Sequence, residues 1–196
     1  MAAMFMLYAV GLGVLCSLLV RGRLAGLTEL RFHWPLLALG GLLVQVLLFS
    51  TPLTELVGDN GAPVYVTSSA AVLAVVVRNR RIAGMPIVAL GAASNLAAIL
   101  ANGGWMPASR DALVSLGSVI GPEYSNSRVF AAPALPFLTD AFALPRWVPL
   151  ANVFSVGDLV IGLGVFVAIV AAMYRRPSAA STGNVATAHE SGAPAG

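Results

Sequence analysis

Five apolar runs divide the sequence, at about residues 3–20, 34–50, 63–77, 85–101 and 152–173, and arginines collect on every second connection between them. A helix crossing a bilayer needs roughly 20 apolar residues, within a range of about 17–25. Runs one and five meet that length, two and four stand at its short end, and the third has to borrow flanking residues. Arg21, Arg23 and Arg31 follow the first run, Arg78, Arg80 and Arg81 follow the third, and Arg175 and Arg176 follow the last. Cytoplasmic connections carry the excess of basic residues. The pattern therefore predicts an all-α polytopic bundle of about five transmembrane helices, with the N-terminus outside and the C-terminus in the cytoplasm.

Composition agrees. Charged residues make up 10% of the chain, hydrophobic residues 58%, and the mean hydropathy is +0.87, whereas a soluble domain carries about 25% charge. The bilayer is thus the first expected partner. No arginine cluster is interleaved with aromatics on a soluble face, which excludes a nucleic-acid partner. Cys16 is the single cysteine, so neither a disulfide framework nor a thiolate metal site is expected, and no cofactor or metal is implied. In Met1–Val20 the basic residues come after the apolar run, the reverse of a signal peptide, so this stretch is expected to stay as the first span.

The connections differ in kind. Arg21–His33 alternates Leu24, Leu27 and Leu30 with Arg23, Glu29 and Arg31, a pattern that predicts a short interfacial amphipathic helix. Residues 102–151 form an outer loop rich in aromatics and prolines, too long for a simple connection. Within it, Ser109–Gly117 predicts a short helix with Ser109 as N-cap, Asp111 near the positive end and Gly117 as terminator. The stretch 130–144 is apolar but broken by prolines, and is expected to lie along the outer interface, anchored by Arg146 and Trp147. One membrane domain, 1–176, is expected, followed by a tail, 177–196, too poor in bulky apolar residues to fold.

Asp158 is the anomaly within this pattern, because a carboxylate inside an apolar span is costly and needs a partner. Counting about 1.5 Å per residue from Asn152 puts it roughly 9 Å below the outer end of its run. Asn95 in the fourth run and Gln45 in the second fall near the same level. Asn95 and Asn102 share one helical face by their spacing, and Asn152, Ser155 and Asp158 share another. Such faces should point into the bundle, because lipid cannot satisfy them. Gln45 and Thr67–Ser69 also suit plain interhelical hydrogen bonding. Asp158 also suits a helix-start acceptor, or a partner for Arg128 or Arg146.

Two sets of motifs carry resemblances. Asn102-Gly-Gly-Trp-Met-Pro107, Tyr124-Ser-Asn-Ser127 and Leu144-Pro-Arg-Trp-Val-Pro-Leu-Ala-Asn-Val-Phe-Ser-Val-Gly-Asp158 resemble a bacterial integral-membrane family known only as a domain of unknown function. That resemblance implies a multi-pass protein of the bacterial inner membrane and supplies no activity. Gly91-Ala-Ala-Ser-Asn95 and Asp158-Leu-Val-Ile161-Gly-Leu-Gly164 are similar to motifs of the lipoprotein signal peptidases, which are aspartic enzymes. The first catalytic aspartate of that family would stand at Ala98, so the pair of carboxyls sharing a proton is missing here unless Asp111 or Asp140 folds back from the loop.

The expected function is therefore binding, not catalysis. An outward-facing polar pocket would use Asp158, Asn95, Asn102, Asn152, Ser155 and Gln45 beneath a cap carrying Trp105, Tyr124, Asn126, Arg128 and Arg146. Its ligand would be a small polar molecule, a lipid headgroup or a peptide segment. The alternatives are a relative of the aspartic peptidases lacking one aspartate, and an assembly partner that docks another membrane protein on the outer loop.

Overall fold

The structure, a computed structural model, describes residues 2–49, 57, 60–117, 127–149 and 151–175. The expected tail and the loop residues Tyr124 and Asn126 lie outside the described residues. The chain is mostly helical: α1 (Ala2–Leu19), α2 (Ala25–Thr28), α3 (Pro35–Leu48), α4 (Gly61–Arg78), α5 (Met85–Ala101), α6 (Arg110–Ser115) and α7 (Val156–Met173). Two short strand pairs lie between α5 and α7: β1 (Met106–Pro107) with β2 (Ser127–Arg128) in parallel, and β3 (Phe142–Ala143) with β4 (Val153–Phe154) antiparallel.

Local chemistry sets the helix starts. Proline stands in the first turn of α3 and of α5, where its missing N–H costs nothing and its fixed φ suits the helix. Ahead of α5, Gly84 turns the chain at φ +84, a conformation that glycine adopts without strain. Ser109 caps α6 by accepting from the Ala112 N–H, and Gly117 beyond its end has φ +71, as the sequence predicts.

Two expectations need correction. The last helix begins at Val156, not at Asn152, because Ser155 caps it and Val153–Phe154 pairs with Phe142–Ala143. Asp158 consequently sits in the first turn, not deep in a helix begun six residues earlier. Between Arg21 and His33 only Ala25–Thr28 is helical. Its Gly26 lies against the Ala172 carbonyl at the end of α7, so this turn is fastened to the bundle through its backbone.

The helices pack in a row. Helix α3 rests on α4, α4 on α5, α5 on α7, and α7 on α1. The tightest seam joins α5 to α7, where glycines face each other at seven-residue intervals. A Cβ at Gly91 would lie 2.5 Å from the Gly157 carbonyl oxygen, and one at Gly164 would lie 2.8 Å from the Gly84 carbonyl oxygen. Small residues are what let helix backbones approach this closely. At the edge of the row α3 leaves one face uncovered, with Leu36 at 81% and Val46 at 66% exposure.

Helices α4 and α7 are long and apolar enough to cross a membrane, while α3, α5 and Met6–Leu19 of α1 are shorter apolar helices. The third run, shortest in the sequence, thus becomes one of the two longest candidates, because α4 takes in Gly61, Ala62 and Arg78.

Candidate functional site

At the start of α7 a capping box closes around Asp158. Ser155 Oγ accepts from the Asp158 N–H at 3.1 Å, and Asp158 Oδ2 accepts from the Ser155 N–H at 3.0 Å. Two of the backbone groups that a helix start leaves unpaired are satisfied in this way. Across the glycine seam, the Asn95 amide donates to Asp158 Oδ1 at 2.8 Å, and Ser155 Oγ donates to Asn95 Oδ1 at 2.9 Å. Ser155 and Asp158 are buried, at 0% and 2% exposure. Both carboxylate oxygens are therefore occupied by N–H donors of their own surroundings, and the cluster joins α5 to α7.

The other polar groups close elsewhere. Gln45 Nε2 donates to Ser69 Oγ at 3.3 Å, in the α3–α4 seam. Since α4 and α5 stand between α3 and α7 in the row, Gln45 belongs to a different seam from Asp158. Asn152 is buried just ahead of β4, and its Oδ1 accepts from the Val153 N–H at 2.8 Å. Asn102 lies in neither seam. It ends α5 and donates to the Ala98 carbonyl at 2.8 Å and the Ala134 carbonyl at 2.9 Å, while its Oδ1 accepts from the Ala134 N–H at 2.8 Å.

Asn102 thus holds the chain at Ala134 to the end of α5. The segment 102–151 is tied at further points. The Arg128 guanidinium lies 3.7 Å over the Trp105 ring, a cation–π contact. Trp105 meets Phe49 edge-on at 6.4 Å, and Phe49 meets Tyr65 at 4.9 Å. Arg146 donates to the carbonyls of Ser115 at 2.7 Å and Val114 at 3.1 Å, at the C-terminal end of α6. Phe142 stacks on Phe154 at 5.6 Å, and the Tyr8 hydroxyl of α1 donates to the Pro149 carbonyl.

Asn79 is a residue that the sequence reasoning passed over. It ends α4 as Asn102 ends α5, and it makes the same set of bonds. Its Nδ2 donates to the Val75 carbonyl at 2.8 Å and the His33 carbonyl at 2.9 Å, and its Oδ1 accepts from the His33 N–H at 2.7 Å. An asparagine at the end of an apolar run, next after Ala101 in one case and after Arg78 in the other, was the available signal, since this residue suits helix ends.

Residues 29–170 match a family model described as a family of unknown function, DUF5317. The chain belongs to the DUF5317 family. No curated protein and no solved structure matches it. The DUF5317 match takes in both asparagine clamps, the glycine seam and the Asp158 cluster, and leaves out α1 and α2. Among the described residues of this DUF5317 chain, no group of three or more His, Cys, Asp or Glu side chains converges as metal ligands would.

Proposed function

We propose that the chain is a five-span integral membrane protein of the inner membrane, with its arginine-rich connections in the cytoplasm, that docks a partner membrane protein on the outer cap, residues 102–151. The observation that carries this is a contrast within the cap. Its backbone is fastened through Asn102, Arg128 and Arg146, yet Trp147 and Phe137 are 83% and 66% exposed. Large aromatics held in the open on a fixed scaffold are the side chains that anchor protein contacts. The membrane part rests on α4 and α7, whose apolar windows are only 33% and 44% buried, and on the uncovered apolar face of α3.

Docking is favoured over an outward polar pocket because Asp158, Ser155 and Asn95 are already bonded to one another. Such a cluster serves as a lock between helices, and the Gln45–Ser69 pair serves the neighbouring seam. Cysteines placed singly at Ser127 and Arg175 should report the two sides. Ser127→Cys should react with an impermeant maleimide in intact cells, and Arg175→Cys only after permeabilisation. A photocrosslinking residue at Trp147 should give one discrete adduct with another membrane protein, and Phe137→Ala should weaken co-purification of that partner. Labelling of Arg175→Cys from outside would overturn the topology. A monomer without adducts in cells would overturn the docking role.

A further inference from the structure

At the arginine-rich end, three connections meet around a cavity of about 360 Å³ lined by Glu29, Arg31, His33, Asn79, Arg81 and Arg175, together with two apolar residues. Each connection brings one arginine: Arg31 from the link between α2 and α3, Arg81 from the link between α4 and α5, and Arg175 from the segment after α7. Three positive side chains against the one negative Glu29 leave a lining charge of +2, with His33 taken as neutral.

The guanidinium groups of these three arginines have no hydrogen-bond or ion-pair partner among the described residues. By contrast, Arg78 at the same end lies 6.0 Å over the Trp34 ring, and Arg146 at the other end is bonded to two carbonyls. The frame of the cavity is fixed. The Asn79 amide grips the His33 backbone from both sides, the Arg23 N–H donates to the Met173 carbonyl at 2.8 Å, and the Tyr174 hydroxyl donates to the Val20 carbonyl at 3.1 Å. Three guanidiniums without a partner among the described residues, on three separately anchored segments, therefore surround one volume, within the range of about 300–1,000 Å³ usual for small-ligand sites.

The geometry points to a phosphate-binding site in this cavity, its arginines clamping a phosphate group carried by an anionic phospholipid or by a soluble phosphate compound. Arginine presents a planar fork of donors that matches phosphate oxygens, two bonds at a time. Forks converging from different directions suit a tetrahedral group better than a planar carboxylate, and the surplus positive charge suits an anion over a neutral or zwitterionic group. The phospholipid form of the site rests on the membrane reading above; the soluble-phosphate form does not. Neither depends on the outer cap.

The test uses the full chain purified in a neutral detergent, with binding read as a shift in thermal unfolding. Titration is with inorganic phosphate, with short-chain phosphatidylglycerol, and with short-chain phosphatidylcholine as the zwitterionic control. Phosphatidylglycerol raising the unfolding temperature, with phosphatidylcholine having no effect, assigns the lipid source. Inorganic phosphate alone producing the rise assigns the soluble one. In either case Arg31→Gln, Arg81→Gln and Arg175→Gln should each weaken binding about fivefold. The triple variant should abolish it, and Arg80→Gln, which lies outside the cavity, should leave it intact. No shift with either anionic probe overturns the site. Equal weakening by Arg80→Gln also overturns it, since diffuse surface charge would then suffice.

Discussion

Replacing Asp158 by alanine removes two acceptors at once, and their costs can be separated. The Ser155 N–H loses its capping partner in a fully buried position, for about 1–2 kcal/mol. The Asn95 amide loses its bond across the seam, and interhelical hydrogen bonds between membrane helices are worth about 0.6–1.7 kcal/mol. A first-turn negative charge near the positive end of the α7 dipole adds about 0.3–1 kcal/mol. Asp158→Ala should therefore cost about 2–5 kcal/mol. Asp158→Asn keeps one acceptor and should cost about half as much. Asn95→Ala breaks only the bonds across the seam and should cost less than Asp158→Ala. Unfolding of the detergent-solubilised protein in a denaturant series gives these differences, and the Asn95–Asp158 double-mutant cycle gives the seam bond directly, at about 0.6–1.7 kcal/mol. A loss under about 1 kcal/mol for Asp158→Ala, or a larger loss for Asn95→Ala, would refute the view of this carboxylate as first of all a helix cap.

Gly91→Ala should lower stability by more than about 3 kcal/mol, above ordinary overpacking, because its Cβ meets the α7 backbone at the Gly157 carbonyl oxygen and the Ile161 nitrogen as well as the Ile161 side chain, and the backbone cannot turn aside; unfolding midpoints check this. Asn102→Ala should release the segment around Ala134, cost about 2–3 kcal/mol for the orphaned backbone groups, and accelerate proteolysis within 127–149. Arg128→Ala should cost about 0.5–2 kcal/mol through loss of the contact with Trp105 and shift the tryptophan emission. Trp147→Ala should leave the unfolding midpoint unchanged, within about 0.5 kcal/mol, as expected of an exposed side chain.

The helices were legible in the sequence because apolar runs and punctuating prolines, glycines and arginines report them locally. Ser109 and Gly117 bound α6 for the same reason. The start of α7 was misplaced because the deciding partner, Phe142–Ala143, lies ten residues upstream and pairs with Val153–Phe154 only in the folded chain. Counting rises along helices brought Gln45, Asn95 and Asp158 to one level, yet depth gives no information about azimuth. Which neighbour each side chain meets follows from the packing order of the helices, and an isolated sequence does not contain that order. The arginine-lined cavity went unrecognised for a related reason. Arg31, Arg81 and Arg175 were counted as signs of sidedness, and their convergence depends on three connections folding toward one point.

The two asparagine clamps have a consequence for how this scaffold can change. Asn79 and Asn102 each grasp a distant segment by its N–H and C=O alone, as a neighbouring strand would, and take no notice of the side chain that the segment bears. The gripped positions, His33 beside the cavity and Ala134 in the cap, can therefore be substituted by any residue except proline without losing their anchorage. Neither close relative of asparagine reproduces the grip, since aspartate lacks the donor and glutamine moves it by a methylene. Two such grips would thus hold two freely rewritable surfaces, one at each end of the bundle.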